Sequence, residues 1–404
     1  MDTPSGPRSR WLLVGVAAVL MGMGGAYQFV WSSIRLPLGS GIGASEAALG
    51  TVFTLFVVFQ TLSQFPAGWV RDRWGPRWPL LVGAVLLFAG FAGTGQSSSL
   101  LPVLVFYSLG GIGAGIVYTV AVNTPVKWFT ERPGLATGAV TMAYSGLSVL
   151  LIPGVRRGIA VDLPGTLLAL GALAGGVAVV AAAVVRDPPR LRAGTHGERP
   201  TSEATAEAGG SDPAYRWHET VRTWQFWLLY AVFVALTGVG LMVIGKAVAL
   251  ATALELSAAA ATGSASVIAL SDSAGILVGG AVSDRFRREH TAGAALALTG
   301  LALAGAVHLG ARGHAVGFVG LLGAAAFFRS PAFAIFPVLV GEYYGDRHSS
   351  TNYAALFTAK LWGGLLGGTV ASTLVVGLGW TETFLVAAAV AIAAGVATLA
   401  LDPP

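Results

Sequence analysis

The stretch Gly68-Trp69-Val70-Arg71-Asp72-Arg73-Trp74-Gly75-Pro76-Arg77 returns in less complete form as Gly280-Ala281-Val282-Ser283-Asp284-Arg285-Phe286-Arg287-Arg288, about half a chain later. Each copy closes a long apolar run with a charged turn. A charged turn repeated at corresponding places points to a duplicated unit, and the apolar runs around it say what the unit is. A bilayer-spanning helix needs about 20 mostly apolar residues. Cutting the chain at its charged or Pro/Gly-rich breaks leaves twelve such runs, at 11–31, 46–69, 79–97, 101–124, 133–155, 163–185, 223–247, 262–283, 292–311, 315–339, 350–376 and 380–401. The repeated turn follows the second and the eighth, so the unit has six spans.

Composition agrees. Of 404 residues, 54% are hydrophobic and 11% charged, with a mean hydropathy of +0.72; a water-soluble globule carries about 25% charged residues. The 56 glycines follow no three-residue period, which excludes collagen. Absence of cysteine removes disulfides, thiolate metal sites and thiol catalysis together. The formal charge of +5 is dispersed between apolar runs rather than gathered on one soluble surface, so it does not describe a nucleic-acid binder. The first run is longer than a signal-peptide core and lacks a small-residue cleavage site, so it is expected to be retained as a span.

The basic residues report orientation instead. Seventeen of the 24 Lys and Arg lie at the N-terminus or in every second loop from it, four lie in the alternate loops and three inside spans. The positive-inside rule then puts both termini in the cytoplasm of a multi-pass protein of the cytoplasmic (cell inner) membrane. Residues 186–222, rich in Pro, Gly, Ser, Thr, Glu and Arg, have the composition of a solvated linker. They separate an N-terminal bundle at 1–185 from a C-terminal bundle at 223–404. The expected fold is therefore all-α: twelve transmembrane helices in two pseudo-symmetric six-helix bundles, the plan of a secondary transporter with its substrate near the midplane.

At these residues the chain resembles the major facilitator superfamily, whose loop pattern G-x-x-x-D-R-x-G-x-R is matched in full by Gly68 to Arg77. Within it, the chain is similar to the oxalate:formate antiporter and monocarboxylate carrier group, through Lys127-Trp128-Phe129-Thr130-Glu131-Arg132-Pro133-Gly134, Trp224-Gln225-Phe226-Trp227, Gly240-Leu241-Met242-Val243-Ile244-Gly245 and Asn352-Tyr353-Ala354-Ala355-Leu356-Phe357-Thr358-Ala359-Lys360. The resemblance implies that spans 1, 2, 4, 5, 7, 8, 10 and 11 line a central cavity. It also implies a monomer, a substrate-binding lysine at Lys360, and a second cation one turn before Gly280. The chain has Ile276 at that last position.

Apart from Glu46 and Glu382 at span ends, four Asp, Glu, Lys or Arg residues fall inside spans: Lys246, Asp272, Arg329 and Lys360. A charge at the bilayer centre costs about 3 to more than 10 kcal/mol, so such residues pair, face water or perform a function. At about 1.5 Å of rise per residue, Asp272, Arg329 and Lys360 all lie near mid-depth, whereas Lys246 lies nearer the outer mouth, where it can snorkel. Two readings follow. Asp272 ties helices together by pairing with Arg329 or Lys360, or the trio forms a carboxylate site in which Asp272 orients one cation or carries a proton. Either way two cations and one anion leave a local +1. A monocarboxylate fits that surplus better than dianionic oxalate, because Ile276 stands where a second substrate cation is expected and Asp272 offsets part of Arg329.

Hydroxyl and amide donors bind carboxylate oxygens without burying another charge. Tyr27 and Gln28 in span one, Tyr118 in span four and Tyr144 in span five are the candidates, the three tyrosines resembling the aromatics that box in oxalate. Gln60, Gln64 and Asn123 add polar groups on cavity-lining spans. The loop residues Gly68, Asp72, Arg73, Gly75 and Arg77, with Asp284 and Arg285 in the second copy, are candidates for gating, in which a carboxylate on a neighbouring helix pairs with the loop arginine. None of the six histidines has an evident buried partner, and no H-E-x-x-H, G-x-S-x-G or P-loop occurs, so no enzyme, cofactor or metal site is expected.

The expected function is alternating-access transport of a small organic anion, by exchange with a counter-anion or together with protons, an antiporter or a symporter. The alternatives are a proton-driven exporter of apolar or cationic compounds, centred on Asp272, and a non-transporting membrane sensor.

Overall fold

In the computed structural model, residues 7–188 and 215–404 are described. Most of the linker, including His196, lies outside them. Among the described residues there is no strand, and twelve helices are long and apolar enough to cross a membrane. They are α1 (Pro7–Ile42), α2 (Glu46–Trp74), α3 (Arg77–Gly95), α4 (Leu100–Trp128), α5 (Pro133–Val161), α6 (Leu163–Val184), α7 (Trp224–Ala253), α8 (Ala258–Ser283), α9 (Arg288–Ala311), α10 (Ala315–Tyr344), α11 (Asp346–Leu378) and α12 (Trp380–Thr398). Every one coincides with a run read from hydropathy. Large apolar side chains stand fully outward along them, among them Leu101, Leu150, Val316 and Val376 at 70–88% exposure. A helix satisfies its own backbone groups, so such a surface is stable in hydrocarbon and unfavourable in water.

Local sequence sets the ends. Ser45, Asp162, Thr223 and Ser257 accept a hydrogen bond from a first-turn N–H of α2, α6, α7 and α8, respectively, each satisfying a donor the helix leaves open. Gly75 ends α2 at φ +80°, a conformation that side chains resist. Two helices are irregular inside. In α10 an Arg329-Ser330-Pro331 break separates Ala315–Arg329 from Ala332–Tyr344, because proline has no N–H to continue the ladder. In α11 a π-helical stretch, Leu366–Val370, follows Ala359–Leu365; such stretches are frequent at functional sites.

The helices fall into two compact units. The first comprises the chain up to Thr130, with Ala143–Thr220 and Pro337–Ala355; the second comprises Glu131–Met142, Val221–Phe336 and Leu356–Pro404. The first thus includes the end of α10 and the start of α11, and the second includes the start of α5. In the first unit α4 packs on α1, α2 and α3, and α6 packs on α3 and α1. Small residues make the approach possible: a Cβ on Gly110 would fall 2.0 Å from the Tyr27 ring, and one on Gly25 would fall 1.7 Å from the Tyr144 carbonyl oxygen. In the second unit α10 packs on α8 and α9, α9 on α12, and α7 on α11 and α12, around a core with Leu250, Phe318, Leu322 and Phe384.

Candidate functional site

Of the second unit's charged residues, the three at mid-depth divide into one satisfied pair and one cation without an acid among the described residues. Arg329, at the break of α10, is 5% exposed; its Nη2 donates to Asp272 Oδ1 of α8, and the Ser330 hydroxyl donates to the same oxygen. The guanidinium lies 5.5 Å from the centre of the Phe333 ring. Its other face rests against α7 at Gly240, where a Cβ would come within 2.5 Å of Nη1. Asp272 therefore takes Arg329 and not Lys360. Lys360, six residues before the π-helical stretch of α11, has no acidic partner among the described residues, and its Nζ lies 5.4 Å over the Phe357 ring. Lys246 donates to the Ser372 hydroxyl at 2.7 Å on an exposed face. Among the described residues, the mid-depth cation left without an acid is thus Lys360.

In the first unit a chain of neutral donors takes the place of charge. Gln60 Nε2 donates to the Tyr144 hydroxyl, which donates to Gln28 Oε1, both at 2.7 Å. Tyr118 stands edge-on to Tyr144 with ring centres 5.6 Å apart. Gln64 is 1% exposed with neither side-chain polar atom hydrogen-bonded, and Gln60 Oε1 and Asn123 Oδ1 are also open. Buried polar groups normally have partners, so this interior has spare donors and acceptors. Tyr27 departs from the expected cavity wall. It is 0% exposed, its ring sits among Phe56, Phe91 and Tyr107, and Tyr107 donates to its carbonyl at 2.7 Å. Close approach at Gly90 and Gly110 draws the ring inward, between α3 and α4, where it joins helices instead of facing solvent.

The repeated turn is built around its aspartates. In the first copy Asp72 Oδ1 lies 2.9 Å from Lys127 Nζ, and Oδ2 accepts from the Thr351 N–H and hydroxyl, both at 2.7 Å. Thr351 is in the first helical turn of α11 beyond its opening 3₁₀ turn, so the carboxylate meets open N–H donors and the positive end of the helix. Gly68 lets this start approach, since a Cβ there would lie 2.5 Å from the Ser350 carbonyl oxygen. In the second copy Asp284 accepts from the N–H groups of Gly134 and Leu135, at 2.7 and 2.8 Å, at the start of α5, and pairs with Arg288 at 3.2 Å.

The loop arginines expected to find a carboxylate do not meet one among the described residues. Arg73 is exposed and stacks on Trp69 and Trp74, Arg77 begins α3 on the surface, and Arg285 is exposed. Their neighbour Arg71 does this work: 0% exposed, it lies 3.3 Å from Asp187 and donates to Ser350 Oγ at 3.1 Å. Residues without an assigned role in the sequence reading, Arg71, Lys127, Asp187 and Thr351, complete the arrangement. The signal for Lys127 was its place in the Lys127-Trp128-Phe129 motif; nothing in the pattern marked Arg71 as buried.

Helical spans, a duplicated charged turn and membrane-depth charges together define a multi-pass membrane carrier. The sequence profile of the Major Facilitator Superfamily matches residues 12–271 and 231–404, and the chain belongs to that superfamily. It is 30% identical over 382 residues, 94% of this chain and 88% of the relative, to an oxalate:formate antiporter from Oxalobacter formigenes. It is 28% identical over 365 residues, 88% of this chain and 86% of the relative, to the MFS-type transporter YhjX of Escherichia coli. Among solved structures, the proton:xylose symporter XylE superposes with a TM-score of 0.74 at 14% identity, covering 96% of this chain and 95% of that one, which speaks to the fold alone. The protein is a transporter and not an enzyme.

Proposed function

We propose that this carrier moves a small carboxylate anion across the cytoplasmic membrane by alternating access, with Lys360 as the group that receives the anion. The observation that carries this reading is the division of charge in the second unit: Asp272 and Ser330 engage Arg329, and Lys360 has no acid among the described residues. A membrane-depth cation without a counter-charge is costly, and a bound carboxylate relieves that cost. An oxalate:formate antiporter among the relatives supports the sign of the substrate. Exchange follows from the same electrostatics. The empty carrier retains an uncompensated charge and reorients reluctantly, while the loaded one is neutral there. Tyr118, Tyr144 and Gln28 are proposed as neutral donors to carboxylate oxygens. Asp272 is proposed to orient Arg329, leaving one strong cation for a monocarboxylate.

The lysine and arginine count supports a cytoplasmic location for the termini and for the two aspartate turns. Asp72 and Asp284 are proposed as gating carboxylates that hold the starts of α11 and α5 in one state and release them in the other. The test is counterflow in proteoliposomes loaded with formate, acetate, lactate or oxalate. Labelled monocarboxylate is expected to accumulate, and Lys360→Ala is expected to abolish accumulation while the protein still purifies as a folded monomer. Uptake unchanged in Lys360→Ala removes the lysine from the site. Cation efflux lost in Asp272→Asn, without carboxylate counterflow in the parent, would establish the exporter alternative, and ligand binding without any flux would establish a sensor.

A further inference from the structure

Beside the Asp72 turn, wholly within the first unit, lies a cavity of about 470 Å³ that the transport reading does not use. Its wall is Trp69, Asp72 and Arg73 of α2, Arg216, Trp217 and His218 ahead of α7, and Arg347, His348 and Thr351 at the start of α11. The guanidiniums of Arg73, Arg216 and Arg347 thus border this wall, and its one carboxylate, Asp72, is already engaged by Lys127 and Thr351. Arg73 is held over Trp69 and Trp74, at 5.4 and 5.5 Å from the ring centres, and has no acidic partner among the described residues. Arg216 uses its backbone N–H on Glu219 at 2.7 Å, and its guanidinium has no acidic partner among the described residues. Arg347 and His348 sit one turn before Thr351, on the segment that Asp72 caps.

Guanidiniums brought to one hollow repel one another, above all Arg73 and Arg216, and an anion of two or more charges removes that repulsion at once. Forked guanidiniums suit phosphate oxygens, which they bind through paired, charge-assisted N–H groups. The cavity is of ligand size, larger than the phosphate group alone, and its indoles offer an apolar wall to whatever carries that group. We infer that this pocket binds a phosphate-bearing anion, which bridges α2, the Arg216 turn and the start of α11. Occupancy fastens the segment that Asp72 caps, so binding raises the stability of the folded protein. The phosphate belongs either to a soluble compound or to a phospholipid headgroup reaching the end of the bundle.

The test uses the full chain, purified in a neutral detergent and stripped of anionic lipid. One arm titrates inorganic pyrophosphate against sodium chloride of equal ionic strength. The other compares nanodiscs of pure phosphatidylcholine with nanodiscs containing phosphatidylglycerol. A saturable rise in the thermal midpoint is expected in one arm, which identifies the source, because a ligand that prefers the folded state stabilises it. Arg73→Gln with Arg216→Gln is expected to weaken the apparent affinity by about tenfold or more, the loss of charge-assisted bonds. Both side chains are exposed, and Arg216→Glu alone provides a second variant that reverses the charge. No rise in either arm, a rise matched by chloride, or a rise undiminished in both variants overturns the proposal.

Discussion

Asp72 and Asp284 occupy equivalent places in the repeated turn, and both cap the start of another helix, yet their counter-cations differ. Asp72 meets Lys127, far away in sequence, with the two side chains 3% and 2% exposed. Asp284 meets Arg288, four residues on, with the two side chains 6% and 11% exposed. Arg288 also donates to the Ser283 carbonyl and hydroxyl, at 3.2 Å each, so it keeps partners if the carboxylate is lost. What the two copies share is a carboxylate at open helix donors; what separates them is how deeply the paired cation is committed. Burial, and not the pairing itself, therefore decides the cost of breaking each site.

The largest expected effect follows from that difference. Asp72→Asn takes the carboxylate away from the buried Lys127 ammonium and from the Thr351 donors, and is expected to cost about 3–5 kcal/mol of stability. Asp284→Asn removes a cap and a partly exposed pair, costing about 1–2 kcal/mol. Thermal unfolding in one detergent should rank Asp72→Asn well below Asp284→Asn, and the double variant with Lys127→Met should recover most of the gap. Equal losses would mean that capping alone matters and that the buried pair adds nothing.

The glycines sharpen the same comparison. A Cβ on Gly68 would meet the Ser350 carbonyl oxygen at 2.5 Å, and one on Gly280 would meet the Gly134 carbonyl oxygen at 2.3 Å. Backbone atoms cannot swing aside as a flexible side chain does, so Gly68→Ala and Gly280→Ala should each pry a capped helix start from its partner. Their stability losses should be similar, about 1–3 kcal/mol, since overpacking and not charge is responsible. A loss confined to Gly68→Ala would show that the second site tolerates separation.

Some of this was legible before any coordinates. All twelve spans appear in hydropathy because a bilayer imposes length and apolarity on each helix separately. The repeated turn was legible because its glycines, aspartate and arginines must stand close in sequence. Pairing across helices was not. The sequence places Asp272, Arg329 and Lys360 at similar depth, but choosing between Arg329 and Lys360 as the partner of Asp272 requires the rotation of α8, α10 and α11, which depth does not encode. Arg71 was hidden for the same reason: successive residues on a helix point about 100° apart, so its neighbours Asp72 and Arg73 say little about where it faces. Tyr27 carried the chemistry of a site aromatic, and only the glycines opposite it reveal that the ring turns inward.

The charges of the second unit separate stability from transport. Arg329→Ala leaves Asp272 without its cation, held by the Ser330 hydroxyl, and should lower stability by about 2–4 kcal/mol, with Asp272→Asn in the same chain restoring much of it. Lys360→Ala removes a cation that has no acid among the described residues, and should leave the thermal midpoint unchanged or higher while uptake disappears. If Lys360→Ala instead destabilised the carrier as much as Arg329→Ala, the lysine would be a structural partner and the assignment of the anion to it would fail.

The smallest effect should come from Lys246, the fourth of the Asp, Glu, Lys or Arg residues inside spans. Its ammonium donates to the neutral Ser372 hydroxyl, whose own proton goes to the Gly368 carbonyl at 2.9 Å, within the π-helical stretch of α11. An exposed bond between a cation and a hydroxyl competes with water, so its loss costs about 0.5 kcal/mol. The serine still satisfies the carbonyl that the π stretch leaves available. Lys246→Met should therefore keep uptake within about twofold of the parent, with the same ranking of substrates, measured in the counterflow assay that condemns Lys360→Ala. Should Lys246→Met lose uptake while its thermal midpoint stays fixed, the ammonium is reading substrate on its way past α7, and the division between one functional and one peripheral lysine dissolves.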